Sequence, residues 1–268
     1  MSDTTQYSID QRGVATVTLN RPERCNAVDE IMVAELTAIL TALRLNSEVR
    51  MLILEASGNC FCSGTDLAWM KRGSLSDPNH NFEDALRFAR LLRTLDRLPI
   101  PTIARVHGPA LGVGLGIISC CDLAICTEDA WFSIPETRLG LIPAVVGPYI
   151  ISRIGSSAAR RYFLTTEKFT SSTAHKIGLV HEIAADVLSM DVQIQNWISD
   201  ICQNSPHALA AAKRLITSVD HRPIDDAMIS DTAHRIAHIR THEEAQEGVN
   251  AYLEQRSPYW VSAISSVA

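Results

Sequence analysis

Short apolar runs alternate with helix-period segments through the first half of this chain, and a chain so patterned has few ways to bury its apolar faces. Val14 to Leu19 has period two, with Ala15, Val17 and Leu19 on one face and Thr16 and Thr18 on the other. Asp29 stands where a helix cap is wanted, ahead of Met32, Leu36, Ile39 and Leu43 at helical spacing. Met51-Leu52-Ile53-Leu54 is apolar without a break, the pattern of a strand covered on both faces. A second amphipathic helix is predicted from Phe82 to Arg97, then strands at Thr102–Val106 and Leu123–Cys126. Strands alternating with helices imply βα units and a largely parallel, twisted sheet.

Beyond Gly155 the character changes. Ser156–Leu164, Asp186–Ile201, Pro206–Val219 and Ile224–Leu253 read mostly as helices, with a short strand at Leu179–Ile183. The coarse expectation is an α/β core followed by a helical C-terminal region. At 268 residues this is one large domain, or one with a helical appendage.

Composition removes several function classes. Lys+Arg 24 against Asp+Glu 30 gives a formal net charge of -6, which disfavours nucleic acid as the main partner. Apolar runs such as Leu139 to Val146 fall far short of the ~20 residues of a membrane span. Met1 to Thr5 shows neither a basic nor an apolar leader, and seven cysteines without a CxxC pair suit reduced thiols, so a cytoplasmic location is expected. Neither that cysteine spacing nor the scattered histidines suggests a metal site.

Three stretches could carry chemistry. Phe61-Cys62-Ser63-Gly64-Thr65-Asp66-Leu67 follows the buried strand and opens a helix. Gly64 permits a tight turn, Thr65 or Asp66 can cap, and free N–H groups at the helix start could hold an anion or a developing oxyanion. The plainer alternative is an ordinary strand-to-helix turn. Glycines 112, 114 and 116 let backbone approach a ligand or another helix, yet Ile117 breaks the GxGxxG dinucleotide pattern. In Ile134-Pro135-Glu136-Thr137-Arg138, a carboxyl set among apolar residues would have a raised pKa fit for proton transfer. A solvated glutamate beside a proline turn is the alternative there. No GxSxG occurs, and Cys62 has no evident histidine partner, so hydrolase triads find little support.

Taken in order, these stretches resemble the crotonase, or enoyl-CoA hydratase/isomerase, superfamily. The resemblance runs over roughly residues 10 to 260, from Asn20-Arg21-Pro22 and Asn26-Ala27 through the Ser63–Leu67 and Ala110–Gly114 stretches to Cys121-Asp122, Pro135-Glu136 and Leu139-Gly140. It implies an α/β fold: a ββα spiral core, assigned to residues 1–200, and a helical trimerisation region at 201–268. It further implies a homotrimer, or a hexamer made of two trimers, and an acyl-CoA thioester substrate, with no cofactor beyond the coenzyme A of that substrate. By position, the thioester oxygen would be gripped by the N–H groups of Thr65 and Val113. Glu136 would be the acid/base. Arg24, Cys25, Ala27, Asp66, Leu67, Ala68 and Gly112 would contact substrate or coenzyme A, and Arg138 is the candidate for a distal carboxylate.

One position departs from the pattern. Typical hydratases carry a second glutamate at the position of Gly116. A single glutamate suits double-bond isomerases, whereas the wording of Asp66–Met70, Gly116–Asp122 and Ala159–Tyr162 is closest to bacterial methylglutaconyl-CoA and isohexenylglutaconyl-CoA hydratases. That lineage is associated with leucine or terpene breakdown and with branched acyl groups bearing a second carboxylate. Hydration of a 2-enoyl-CoA is therefore the first expectation, with isomerisation, another crotonase-type lyase or hydrolase reaction, or non-catalytic acyl-CoA binding as alternatives. The acyl pocket is expected to draw on Trp69, Met70 and the Phe82–Arg97 helix, with Lys71 to Asn81 as a mobile loop.

Overall fold

The computed structural model describes residues 4–261. The last seven positions of the expected C-terminal region and the first three of the leader reading lie outside them. β1 (Thr5–Ile9) and β2 (Val14–Leu19) form an antiparallel hairpin, and β2 then pairs in parallel with β3 (Met51–Ala56). Between those two lies α1 (Glu30–Leu45), capped by the Asp29 carboxylate, which accepts from Met32 N–H at 2.9 Å. Next come α2 (Leu67–Gly73), α3 (Pro78–Asp96), β4 (Thr102–Val106), β5 (Ala110–Leu111) and α4 (Val113–Cys120). β6 (Leu123–Thr127), β7 (Trp131–Ser133) and α5 (Gly147–Thr165) repeat the order of the preceding three. The chain ends with β8 (Phe169–Thr170), α6 (Ser171–Lys176), β9 (Glu182–Ala184), α7 (Val187–Cys202), α8 (Pro206–Val219), α9 (Asp226–Arg240) and α10 (Glu243–Leu253).

Six strands form one sheet in the order β1-β2-β3-β4-β6-β9, parallel except for β1, and β5, β7 and β8 form a second, small sheet. The two sheets reveal the repeat. A strand in the large sheet is followed by a short stretch in or against the small one and then by a helix, as in β4-β5-α4 and β6-β7-α5. The segment after β3 joins the same scheme through single bridges of Cys62 to Ala110 and of Thr65 to Val28. This is the ββα spiral that the resemblance implies. It brings the strand-to-helix turns of successive repeats side by side.

Both faces of the large sheet are buried, as the unbroken run at Met51–Leu54 predicts. Leu52 and Leu54 enter the main core with Ala15, Val17, Leu19 and the apolar faces of α1, α3 and α4. Met51 and Ile53 turn the other way, against Met190, Ile194 and Ile198 of α7. The three final helices bury almost nothing: α8 has no buried residue, α9 only Met228 and α10 only Ala251.

Four expectations shift. The predicted helix at Ile224–Leu253 is two helices, broken at Thr241-His242, where the His242 ring nitrogen accepts from Glu244 N–H. The strand expected at Leu179–Ile183 begins only at Glu182, because Leu179 N–H closes the end of α6 on the Ala174 carbonyl after Gly178. Helix Ser156–Leu164 starts earlier, at Gly147, with a break at Gly155. Little of Lys71 to Asn81 is loop, since α2 runs to Gly73 and Asp77-Pro78 caps and starts α3.

If β3 is sandwiched as described, Leu52→Ala and Met51→Ala should each cost about 2–5 kcal/mol in urea unfolding, since either empties a filled core site. A strand covered on one face only would show the loss for just one of the two.

Candidate active site

Three turns converge on two adjoining cavities. The first turn leads from β3 into α2. Gly64 takes φ +102, and the Asp66 carboxylate caps α2 by accepting from Ala68 N–H at 2.8 Å and Trp69 N–H at 3.2 Å. The second leads from β5 into α4, where Gly112 takes φ +47 and donates its N–H to the Ser133 carbonyl at 3.0 Å. The third follows β7 as a single helical turn, Glu136–Leu139, closed by Gly140. Leu111 N–H bonds to the Cys62 carbonyl at 2.8 Å and ties the first turn to the second.

These turns leave particular main-chain groups unused. Among the described residues, neither the Thr65 N–H nor the Val113 N–H has an acceptor in the protein. Val113 opens α4, so its N–H lies ahead of the first intrahelical bond. Thr65 borders both cavities and Val113 the inner one. Amides of this kind can stabilise negative charge that develops on a carbonyl oxygen, and each such donor typically contributes ~3–4 kcal/mol in a transition state.

The Glu136 carboxyl borders both cavities too. Its Oε2 is buried without a hydrogen-bond partner, and Oε1 faces the Cα of Gly112 so closely that any side chain at 112 would overlap it. Burial pushes the Glu136 pKa above the usual glutamate range. No second carboxyl stands across from it at position 116. A Cβ on Gly116 would overlap the Val146 side chain and lie 2.8 Å from its Cβ. Valine therefore fills the volume that a glutamate there would need.

The two cavities differ in chemistry. The outer one, about 490 Å³, is lined by Arg21, Arg24, Ala27, Asp66, Leu67 and Ala68 among others, and its charged groups suit a polar, anionic ligand portion. The inner one, about 440 Å³, is mostly apolar, with Trp69, Phe88, Ile142, Val145 and Val146 in its walls. Trp69, Met70 and α3 thus contribute as the sequence suggests. The apolar stretch 141–146 adds a wall that periodicity did not reveal.

Asp66, expected to touch ligand, spends its carboxylate on the α2 cap and on Arg21 at 3.1 Å. Burial works against its charge, but the N–H groups of Trp69 and Ala68 and the Arg21 guanidinium outweigh it and hold the carboxyl below the usual aspartate range. Two other expected contacts stand outside both cavities. Cys25 is exposed and lines neither cavity. Its carbonyl accepts from Ser63 N–H at 2.9 Å, and its thiol points to Cys60. Arg138 is exposed and also lines neither cavity, because the tight turn after Glu136 carries it to the outer surface. Residues that sequence reading left out include Arg21, Asp29 and Arg72 in the outer wall and Asn81 and Asp84 in the inner one.

Comparison with known proteins agrees with this arrangement. The sequence profile of the enoyl-CoA hydratase/isomerase family matches residues 10–263. The chain belongs to that family. Among solved family structures, an enoyl-CoA hydratase from Shewanella pealeana is 40% identical with a TM-score of 0.93, and the match covers 96% of each chain. Pseudomonas aeruginosa AtuE is 33% identical with a TM-score of 0.92, over 96% of this chain and 99% of its own. A mitochondrial Delta(3,5)-Delta(2,4)-dienoyl-CoA isomerase of Dictyostelium discoideum is 28% identical over 258 residues, 93% of this chain and 88% of that relative. This family member thus has both hydratases and an isomerase among its relatives. Among the described residues no helix is long and apolar enough to cross a membrane.

The packing at position 116 has a measurable consequence. Gly116→Glu should destabilise the protein by about 1–3 kcal/mol through overpacking. With Val146→Gly in the background, which removes both overlapping atoms, the further cost of Gly116→Glu in thermal or urea unfolding should fall to less than half of its cost beside valine.

Proposed function

We propose that the protein hydrates a 2-enoyl-CoA, with the thioester oxygen held by the Thr65 and Val113 N–H groups and Glu136 as the only acid/base. One observation carries the reading: two unengaged amides and a buried, partnerless carboxyl oxygen border the same space. The Glu136 carboxylate takes a proton from water as the water oxygen bonds to Cβ. The π electrons of the double bond shift through Cα onto the thioester oxygen, where the two amides stabilise the enolate. Glu136 then returns the proton to Cα, and the product is a 3-hydroxyacyl-CoA.

The coenzyme A portion is assigned to the outer cavity, where Arg24, Ala27, Leu67 and Ala68 stand, and the acyl chain to the inner one. The apolar walls of the inner cavity and its volume of about 440 Å³ support a branched chain. Resemblance to methylglutaconyl-CoA hydratases would add a second carboxylate, but Arg138 is not there to receive it. Asp84, held ionised against burial by the Trp69 indole and Arg87, disfavours an anion at that end. We therefore assign a branched, uncharged acyl group. Leu215, Ile216, Ile229, Ile236 and Val249, exposed on the thinly packed final helices, support assembly as a trimer or as two stacked trimers.

A second reading, double-bond isomerisation, is favoured by the Val146 side chain standing where a water-holding acid would be. There Glu136 would move one proton between Cα and Cγ. Reaction of a branched enoyl-CoA in H₂¹⁸O separates the two, since hydration adds the heavy oxygen to the product and isomerisation leaves its mass unchanged. In either case Glu136→Gln should reduce kcat by ~10²–10⁴-fold. Near-normal turnover in that variant would remove the mechanism.

The raised pKa of Glu136 also sets two pH effects. The acid limb of kcat/KM should lie above the ordinary glutamate range and vanish from the residual activity of Glu136→Gln. For stability the sign is opposite to that of a salt-bridged acid. The unfolded chain loses this proton first, so the Glu136 contribution to stability is present below the unfolded pKa and lost as pH rises through the folded one. At neutral pH the glutamine variant should therefore melt no lower than the native protein.

A further inference from the structure

We propose that Arg21 is a positioning residue for this chemistry: its guanidinium holds the turn that presents the Thr65 N–H. The inference rests on the reading of Thr65 as a donor to the thioester oxygen. Arg21 borders the outer cavity, but its hydrogen bonds point into the protein. Nη1 donates to the Ala27 carbonyl at 2.6 Å and pairs with Asp29 at 3.0 Å, while Nη2 pairs with Asp66 at 3.1 Å. The side chains of Arg21 and its two partners are only 16%, 12% and 13% exposed.

Each of these contacts ends on a group that fixes the turn. Asp29 caps α1 and Asp66 caps α2, so one planar fork locks two helix starts together. Between them the main chain is clasped in both directions, with Val28 N–H on the Gly64 carbonyl and Asp66 N–H on the Val28 carbonyl, each at 2.8 Å. Thr65 is the residue enclosed by that clasp. Asn26, completely buried, fixes the near side: its Oδ1 accepts from Arg21 N–H, and its Nδ2 donates to the Ser57 and Cys60 carbonyls. The direction of the Thr65 N–H is therefore set by a charged network whose hydrogen bonds are spent within the protein. The Val113 donor, held by Gly112 and the Ser133 carbonyl, is independent of it.

Polarisation of a bound thioester carbonyl can be read optically. A para-dimethylamino-cinnamoyl-CoA probe absorbs at longer wavelength when its carbonyl oxygen is gripped by hydrogen-bond donors. Spectra of the bound probe, with kcat and KM for the enoyl-CoA substrate, would be compared for the native protein, Arg21→Lys, Arg21→Met and Asp66→Asn. Asp66→Asn keeps a capping oxygen and gives up the charge, so it stays informative where Arg21→Met fails to fold. The expected result is a red shift in the native protein that is reduced in the variants. With it, kcat should fall on the order of tenfold, a fraction of the ~10²–10³ lost when a donor is removed, while KM moves by less than about threefold. Variants that keep the full red shift, or that raise KM with kcat intact, overturn the role of Arg21 alone and make it a contact for coenzyme A. A native protein that shifts the probe not at all overturns the role of Thr65 and this inference with it.

Discussion

The hydrogen bond from Leu111 N–H to the Cys62 carbonyl, 2.8 Å long, fixes the distance between two turns that are otherwise far apart in sequence. It accompanies the single bridge of Cys62 to Ala110, which joins the segment after β3 to the edge of the small sheet, whose strands have only two or three residues. Through it, the turn that leads into α2 meets the turn that leads into α4. Thr65, Val113 and Glu136 come from successive repeats, each in the segment that follows the repeat's strands. The spiral therefore supplies the convergence, and each turn needs only a local choice of residue.

Those local choices work against stability. A carboxyl oxygen buried without a partner and two amides without acceptors are each costly, whereas the two positive-φ turns are met by glycine, the residue that adopts them without strain. Their surroundings are correspondingly rigid: Phe61, Ala110, Leu115 and Phe132, which flank the turns, are fully buried. The charged fork of Arg21 adds directional restraint on one side, and the tight seat of Gly112 beside Glu136 adds it on the other. Strain at the centre is held by order around it, the usual arrangement where a site must receive charge that exists only briefly.

Much of this was legible in the residues. The two-sided burial of Met51–Leu54, the Asp29 cap and the helix Pro206–Val219 follow from period and capping chemistry and stand as read. Thr65, Val113 and Glu136 were reachable only because their flanking motifs resemble a family, since the chain's own pattern also allowed plain turns. Strands β5, β7 and β8 are too short to show any period, and the exposed edge strand β1 alternates too weakly to stand out. Arg138 stands apart from Glu136 because two positions of separation on a tight turn carry side chains to different faces. Arg21 went unread as a structural cation because its partners, Asp29 and Asp66, are separated from it by loop rather than by helical spacing.

The seat of Val146 against Gly116 also constrains how such a protein can change over time. A descendant that gains an acid at 116 while valine persists at 146 carries the cost of the clash before any benefit of a second proton carrier. One that first shortens residue 146 empties a buried core position and carries the cost of that void before it can accept the acid. Either order therefore passes through a less stable intermediate, and lineages with one or two glutamates are separated by a step that selection on turnover alone does not reward.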